Sequence, residues 1–240
     1  MKSDIMGLKG RVKEMVKKID LIVRSKGGLG RLEFEVRRLL LAGYSGRDQE
    51  SVKKHIEELM KIGVPVPSKV PTIFSVPPYL LTCDEKVEVC SEKTSGEVEY
   101  VILIDKGKMI YVTVGSDHTD RWLEKVDILS SKWMYRKVIA KEVWIYDEIK
   151  DHWDEIIIES YIGEEWKKEL YQRAKLKALL SVEDLMRIFN IREEGVILFS
   201  GTIPTLSSEI IYSPWFEVSI YDPILERRIT TSYRVEVIKP

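Results

Sequence analysis

The sequence predicts an α+β fold in which a mixed or antiparallel sheet dominates and helices are few. Two observations lead to this prediction. Short apolar segments, several of them alternating with polar residues, recur between turn-forming residues as in strands, whereas helical periodicity is confined to a few stretches. The 240 residues can bury a full core and contain neither an internal repeat nor a low-complexity linker, so we expect one main domain.

Residues 1–30 are predicted to form an extension ahead of a single domain at residues 31–240. Apolar residues recur at helical spacing between Leu8 and Val23, with lysines and arginines between them, and Gly27-Gly28 ends the pattern. We therefore expect a basic amphipathic helix. Such a helix can lie on a membrane surface, but docking on the domain or on a second subunit is the favoured interpretation.

The first part of the domain is predicted to contain two strands and a helix. Leu32–Val36 alternates apolar and charged residues like a half-buried strand, and Leu39–Ala42 is continuously apolar like a buried one. Asp48–Met60 has a helical pattern that stops at Gly63. Three further strands are predicted at Val87–Val89, Val98–Ile104 and Met109–Val114.

Helical patterns return in the second half of the domain. They cover Asp147–Trp153 and Ser181–Phe189, where the Ser181 hydroxyl can cap the first turn. The remaining strands are predicted at Val196–Phe199, Phe216–Tyr221 and Thr230–Ile238. Strands therefore outnumber helices over the whole domain.

Composition and charge narrow the class of function. The 38 basic and 39 acidic side chains nearly cancel, so no overall charge favours nucleic acid or an acidic partner. No apolar run approaches the roughly 20 residues that span a bilayer, and charged residues interrupt Met1–Val23, where a signal peptide needs an apolar stretch. Cys83 and Cys90 indicate neither a disulfide scaffold nor a four-ligand zinc site. We expect a cytoplasmic protein that binds neither nucleic acid nor membrane.

Three acidic residues form the candidate metal site. Glu97 and Glu99 lie two apart in a predicted strand, so their side chains emerge from one face, roughly 6.5 to 7 Å apart. Asp117 ends the next predicted strand, and a hairpin would bring it beside them. Carboxylates with open positions for water or substrate suit Mg²⁺ or Mn²⁺ better than Zn²⁺. The alternative is a solvated strand face, which an isolated E-x-E pair most often forms.

Two histidines are weaker candidates. His118 adjoins Asp117, but neighbouring side chains on a strand diverge, so we favour a role other than metal ligand. His152 lies at the end of a predicted helix and is interpreted as structural.

Further polar residues follow the acidic pair along the chain. Asp117, Thr119 and Arg121 form an Asp-x-Thr-x-Arg element, and Lys132 comes next in Ser-Ser-Lys. Gln172 follows in a predicted strand that leads to a helix.

Two more motifs stand at either side of these residues. Downstream, Gly195–Pro204 ends in Gly-Thr-Ile-Pro, which includes Thr202. Upstream, a Gly-Tyr pair at residues 43 and 44 is followed by His55 and Glu58. The order of all these motifs resembles that of the fumarylacetoacetate hydrolase superfamily over roughly residues 31–240.

The chain departs from the superfamily pattern at several points. Gly43 and His55 are further apart than in the family, no asparagine precedes Tyr44, Ser116 stands where asparagine is usual, and an isoleucine is inserted before Pro204. Such departures are typical of a divergent branch of the superfamily, and the chain resembles an uncharacterised prokaryotic group. We expect the fold and the metal to be kept in such a branch more faithfully than the substrate.

The resemblance implies a β-roll fold and a metal-dependent hydrolase or decarboxylase that cleaves a carbon–carbon bond in a small 2-oxo acid or acylpyruvate. In that interpretation, the metal is Mg²⁺ or Mn²⁺. His55 and Glu58 lie at i and i+3 on a predicted helix, so the carboxylate could orient the imidazole while the imidazole activates water. The alternative is that both belong to a solvated helix face.

The same resemblance implies roles for four other residues. Lys132 would take part in catalysis, and Arg121 would hold the carboxylate or oxyanion of the substrate. Gln172 and Thr202 would donate hydrogen bonds to the substrate carboxylate. Each of these residues taken alone is as easily explained by surface or turn positions.

Two other functions are consistent with these residues. A hydratase or isomerase of unsaturated 2-oxo acids would use the metal without the His55–Glu58 dyad. A non-catalytic module that binds a metal or a small acid would explain the long spacing between Gly43 and His55. By analogy with the superfamily we expect a homodimer whose ligand is a small oxo acid.

Overall fold

The computed structural model describes residues 16–61, 69–207 and 209–238. The strands are β1 (Lys17–Ser25), β2 (Gly28–Val36), β3 (Arg38–Gly43), β4 (Thr72–Val76), β5 (Leu81–Thr82), β6 (Lys86–Val89), β7 (Thr94–Ser95), β8 (Val98–Ile104), β9 (Ile110–Asp117), β10 (Thr119–Asp120), β11 (Lys137–Ile139), β12 (Glu142–Ile145), β13 (Ile157–Glu164), β14 (Lys167–Lys175), β15 (Val196–Phe199), β16 (Trp215–Asp222) and β17 (Arg227–Val237). The α-helices are α1 (Gln49–Lys61), α2 (Arg121–Glu124), α3 (Ile128–Met134) and α4 (Val182–Ile188). Short 3₁₀ turns cover Pro78–Leu80, Lys106–Lys108, Tyr146–Glu148, Lys150–Glu155 and Leu176–Ala178.

Two larger sheets organise the chain. The main sheet runs in the order β2-β1-β12-β9-β8-β15-β3-β4, and β11 pairs with β9 and with β5 beside this path. The second sheet runs β14-β13-β16-β17-β6, while β7 and β10 form a separate short pair. Both larger sheets are mixed, because β1 runs parallel to β12 and β15 to β3, and β17 runs parallel to β6. The predicted α+β class with a dominant mixed sheet is confirmed.

Strand β8 is buried on both faces. Tyr100 and Ile102 belong to a core cluster that also contains Ile158 and Ile220 of the second sheet, so this cluster lies between the two sheets. Val101, one residue along from Tyr100, belongs to a second cluster on the opposite face of the main sheet. Because side chains alternate along a strand, Glu99 lies on the same face as Val101, and it is buried there.

The predicted N-terminal helix is wrong where the structure describes it. Lys17–Ser25 is strand β1, which pairs antiparallel with β2 along its whole length and parallel with β12. Leu21 is 2% exposed and Ile22 is 44% exposed, an alternation that belongs to a strand. The apolar residues at 19 and 23 fit a period of two as well as a helical spacing, so the pattern alone was ambiguous.

Two consequences follow for the N-terminal prediction. Gly28 pairs with Ser25 at the hairpin turn, so the glycines form a turn between strands and do not end a helix. The predicted domain boundary after residue 30 falls inside β2. The part of the predicted helix before residue 16 lies outside the described residues.

Most other predicted elements are confirmed within a few residues. Strand β9 continues three residues beyond its predicted end, to Asp117, and so carries the third acid on a strand. Asp147–Trp153 forms two 3₁₀ turns in place of an α-helix. Helix α4 is capped as predicted, because the Ser181 side chain accepts a hydrogen bond from the backbone N–H of Asp184. Within the described parts of the chain, no helix is both long and apolar enough to cross a membrane.

Candidate metal centre

The hairpin of β8 and β9 brings Glu97, Glu99 and Asp117 together. Strand pairing places Glu99 opposite Gly115, and the Asp117 N–H donates to the Glu97 carbonyl over 3.0 Å. Residues opposite each other on antiparallel strands share a face, so all three side chains point the same way. One carboxylate oxygen from each residue lies within 4.8 Å of those of the other two.

Glu99 is the most deeply buried of the three acids together with Asp117, each at 1% exposure. Its Oε2 accepts a hydrogen bond from the Gly201 N–H over 2.7 Å. Burial raises the pKa of Glu99 well above its usual value, and the nearby charges of Asp117 and Glu97 raise it further. A bound cation would relieve both effects, because it would supply the missing positive charge.

Basic side chains surround the other two acids. Lys132, on α3, places Nζ 2.8 Å from both Glu97 Oε2 and Asp117 Oδ2. It also donates to Thr119 Oγ1 over 3.1 Å. Burial alone would raise the pKa of Asp117, but Lys132 and Lys137 outweigh it and lower that pKa to about 2. Asp117 is therefore ionised at neutral pH, as a carboxylate that holds a cation must be.

Arg121 is the first residue of α2, and hydrogen bonds to three other side chains fix its guanidinium. Its Nη1 donates to Glu97 Oε1 over 2.9 Å and to Glu124 Oε2 over 2.8 Å, and its Nε donates to Ser95 Oγ over 2.6 Å. The Asp120 side chain caps α2 by accepting from the N–H groups of the next turn. The Asp-x-Thr-x-Arg element and Lys132 thus converge on the acidic cluster.

Lys137 is a site residue that the sequence did not reveal. It is 0% exposed on β11, and its Nζ lies 2.5 Å from Asp117 Oδ1 and 2.8 Å from the carbonyl oxygen of His118. Burial lowers the pKa of Lys137, although Asp117 acts in the opposite direction. A lysine at the start of a short apolar segment gives no sequence signal of this kind, because its burial depends on the pairing of β11 with β9.

His118 turns away from the carboxylates. Its Nε2 lies 2.9 Å from Thr94 Oγ1 and its Nδ1 lies 3.0 Å from the Tyr233 hydroxyl, and its ring packs edge-on against those of Tyr135 and Phe216. Burial, together with the charges of Lys137 and Arg121, lowers the pKa of His118 to about 3, so its ring is neutral. His118 is therefore not part of the candidate metal site of Glu97, Glu99 and Asp117.

Hydrogen bonds of Gln172 and Thr202 hold the loop at residues 201–203 against β8. The Gln172 Oε1 accepts from the Val98 N–H and from Ser160 Oγ, and its Nε2 donates to Thr202 Oγ1 and to the Ile203 carbonyl. Thr202 in turn donates to the Val98 carbonyl over 2.9 Å. These contacts position the neighbouring Gly201 N–H on Glu99.

The residues predicted upstream of the acidic cluster lie on or before α1. Gly43 ends β3, and Tyr44 follows in the left-handed region with φ of 56°. His55 and Glu58 lie on α1, but their side chains are outside the described residues. The proposed dyad therefore stays a prediction. His152, interpreted as structural, has Nε2 3.0 Å from a carboxylate oxygen of Asp222.

The donor set fits a divalent cation. All three acids offer carboxylate oxygens, which are the ligands that hard cations such as Mg²⁺ and Mn²⁺ prefer. Among the residues that the structure describes, the ion pairs of this cluster involve Glu97 and Asp117, whereas Glu99 is held by a backbone N–H. A buried carboxylate in that position is suited to a metal ion.

Solved structures with the same architecture define the class of fold. The structure of 2-keto-3-deoxy-D-arabinonate dehydratase complexed with magnesium and 2,5-dioxopentanoate is 19% identical, with a TM-score of 0.57 over 88% of this chain and 77% of that chain. Cg1458 is 13% identical, with a TM-score of 0.58 over 92% and 100%. The 4-oxalocrotonate decarboxylase from Pseudomonas putida G7, complexed with calcium and acetate, is 15% identical, with a TM-score of 0.50 over 82% and 76%. The chain has the fold of the fumarylacetoacetate hydrolase superfamily, as predicted.

Within this fold class the sequence identifies one family. A family model described as "Protein of unknown function (DUF2848)" matches residues 42–233, and the chain belongs to this family. No curated protein sequence matches the chain. The predicted divergent branch is consistent with this family.

Proposed function

We propose that the chain is a divalent-metal-dependent enzyme that acts on small 2-oxo acids. The observation that carries this proposal is the convergence of Glu97, Glu99 and Asp117 beside the buried cations of Arg121 and Lys132. Acidic ligands for a cation next to basic groups for an anion are suited to a metal with an anionic substrate. The names of the structurally similar dehydratase and decarboxylase support the same class of chemistry.

We propose Mg²⁺ or Mn²⁺ as the ion, held by Glu97, Glu99 and Asp117. The proposed ligands are all carboxylates, and two of the similar structures, the dehydratase and the decarboxylase, were determined with magnesium and with calcium. When bound, the ion would supply Lewis-acid polarisation of a substrate carbonyl. The Gly201 N–H keeps Glu99 in place for this role, and Gln172 holds the loop that carries Gly201.

The two basic residues, Lys132 and Arg121, have different roles in this proposal. Lys132 Nζ offers a flexible point charge for the negative charge that develops on the substrate. The Arg121 guanidinium is fixed by Ser95, Glu97 and Glu124, so it acts mainly by keeping Glu97 ionised and the field positive. Thr202 lies next to Gly201, and its hydroxyl already donates to the Val98 carbonyl, so in this proposal it positions the loop.

The reaction proposed first is cleavage of a carbon–carbon bond by hydrolysis or decarboxylation. His55 would accept the proton of the attacking water while Glu58 orients its ring, provided that α1 presents both to the cluster. A dehydratase or isomerase reaction is the second candidate, favoured by the similarity to a 2-keto-3-deoxy-D-arabinonate dehydratase. Activity that survives His55→Ala would favour the second candidate.

The test is a panel of small 2-oxo acids and acylpyruvates, assayed with Mg²⁺ or Mn²⁺ and again after chelation. We expect turnover that depends on the metal and falls at least about 100-fold in Glu97→Gln. The matched control is Glu88→Gln, since Glu88 is exposed and pairs with Lys86 on the surface. Turnover that persists after chelation would contradict the proposal. A protein that binds the ion but turns over no member of the panel would favour the non-catalytic module.

The predicted homodimer and the predicted cytoplasmic location stay predictions. Neither is needed for the chemistry proposed above, because all the residues invoked belong to one chain.

A further inference from the structure

The Lys132 ammonium lies between two of the three proposed metal ligands. Its Nζ is 2.8 Å from Glu97 Oε2 and 2.8 Å from Asp117 Oδ2, and its side chain is 10% exposed. Its third close contact is the hydroxyl of Thr119, at 3.1 Å. These distances are those of charge-assisted hydrogen bonds, so the lysine neutralises the acids directly.

The other oxygens of these two acids are held by different cations. Glu97 Oε1 accepts from Arg121, and Asp117 Oδ1 pairs with Lys137. Both of those cations have additional fixed partners: Arg121 also donates to Ser95 and Glu124, and Lys137 also donates to the His118 carbonyl. The oxygens that face Lys132 are therefore the ones that a metal ion can take with the least rearrangement.

A divalent ion and the Lys132 ammonium compete for the same oxygens. An ion at a coordination distance of about 2.1 Å from Glu97 Oε2 and Asp117 Oδ2 would occupy the space in which Nζ now lies. The repulsion between the two cations at such close range would also drive them apart. Lysine is suited to such a movement, because its charge sits at the end of a flexible four-carbon stem.

We propose that Lys132 is the exchangeable counter-ion of the metal centre. In the metal-free protein its ammonium neutralises Glu97 and Asp117, and a divalent ion replaces it at those oxygens. The displaced ammonium is then free to bind the carboxylate of a substrate beside the metal. This inference rests on the proposed metal centre and adds that metal loading presents the lysine to the substrate.

The exchange predicts an effect opposite to that of losing a binding residue. If Lys132 must be displaced, removing its charge raises the affinity for the metal, because no resident cation has to leave. We expect Lys132→Met to bind Mn²⁺ at least roughly tenfold more tightly than the wild type, measured by isothermal titration calorimetry. We expect the metal-free variant to unfold at a lower temperature, because two buried carboxylates lose their partner.

Two variants separate exchange from a general effect of charge. Lys132→Arg keeps a cation at the site, so it should not bind Mn²⁺ more tightly than the wild type. Lys125→Met removes an exposed positive charge from the turn after α2, so it should leave the affinity within about twofold of the wild type.

A second measurement follows Lys132 in the wild-type protein and does not depend on the folding of Lys132→Met. The ammonium signal of Lys132, in protein carrying ¹⁵N-labelled lysine, is assigned by its absence from the spectrum of Lys132→Arg. Saturating Mg²⁺ should shift this signal and speed its exchange with solvent, because its three close contacts are lost.

The outcomes distinguish this inference from the proposed function. If the wild type binds no divalent ion at millimolar concentration, both the metal centre and the exchange are wrong. If the wild type binds the ion but Lys132→Met binds it no more tightly, or the Lys132 signal is unchanged with Mg²⁺ bound, only the exchange is wrong. Tighter binding by Lys132→Met, or a shifted signal if that variant does not fold, supports the exchange.

Discussion

At the scale of single residues, the contacts of Gln172 favour a role different from the one its motif suggested. The superfamily resemblance implied an amide that donates to the substrate, but both ends of this amide are engaged inside the protein. The residue is 2% exposed. We interpret it as a positioning residue that holds the loop at Thr202 against β8.

Replacing Gln172 with leucine should therefore cost stability. Gln172→Leu leaves the Val98 N–H and the Ile203 carbonyl without their partner, and a buried unpaired polar group costs about 1–3 kcal/mol. We expect the free energy of unfolding to fall by about 2–4 kcal/mol in urea titrations. The control is Gln49→Leu, which removes a half-buried amide that donates to the Gly46 carbonyl and should cost less than about 1 kcal/mol. A Gln172→Leu protein of unchanged stability with a raised KM would return the residue to substrate binding.

His118 makes a prediction about pH. Its pKa is about 3 in the folded protein against 6.5 for an ordinary histidine, so the unfolded chain takes up the proton first as the pH falls. Stability from this residue is present above pH 6.5 and is lost progressively as the pH falls from there towards 3. Between about pH 7 and about pH 5 we expect a loss of about 2 kcal/mol.

The measurement is urea unfolding of the metal-free protein at both pH values, compared with His118→Gln. The neutral amide has no proton to bind, so the variant should lack this part of the pH dependence whatever its absolute stability. Equal pH dependence in the two proteins would mean that His118 is not buried as a neutral ring.

At the scale of the elements, strand β1 shows why a periodic pattern needs its partner. Ile19 and Val23 are four residues apart, a spacing that places both on one face of a helix and also on one face of a strand. The decision comes from pairing with β2 and β12, which no local pattern reveals. Strands β8 and β15 were predicted correctly because they are short, mostly apolar and bounded by turns.

The strand assignment of β1 can be tested with two neighbouring residues. Leu21 is 2% exposed and lies in the core cluster with Phe34, whereas Ile22 is 44% exposed. We expect Leu21→Ala to lower the free energy of unfolding by about 2–4 kcal/mol, and Ile22→Ala by less than about 1 kcal/mol. Denaturant unfolding of both variants measures the difference. Similar losses in the two would contradict a strand with alternating faces.

At the scale of the whole molecule, the site assembles from segments that lie far apart in the sequence. Glu97 and Asp117 meet through one hairpin, and the sequence could predict that encounter. The Gly201 N–H reaches Glu99 from a loop 102 positions away, and Lys137 reaches Asp117 through the edge pairing of β11. Those contacts depend on the sheet order, so no local sequence pattern could predict them.

Local geometry predicts that the three acids lie together, but it does not predict which cations surround them. An E-x-E pair followed by a hairpin and an aspartate forms one face from local geometry alone. Whether that face is solvated or buried depends on α2, on α3 and on the loop at Gly201, which the local pattern does not describe. Burial is what raises the pKa of Glu99, whereas the charges of Lys132 and Lys137 lower the pKa of Asp117 against the effect of burial.

The measurement that tests the central claim most directly is a Mn²⁺ titration of the wild type and of Glu99→Gln by isothermal titration calorimetry. Because burial favours the uncharged form of Glu99, the neutral amide should be tolerated in the metal-free fold, and Glu88→Gln serves as the exposed control. The account predicts one Mn²⁺ per chain in the wild type and in the control, and an affinity at least about tenfold weaker in Glu99→Gln. A wild type that binds no Mn²⁺ at millimolar concentration, or a Glu99→Gln variant that binds it equally well, would contradict the metal centre.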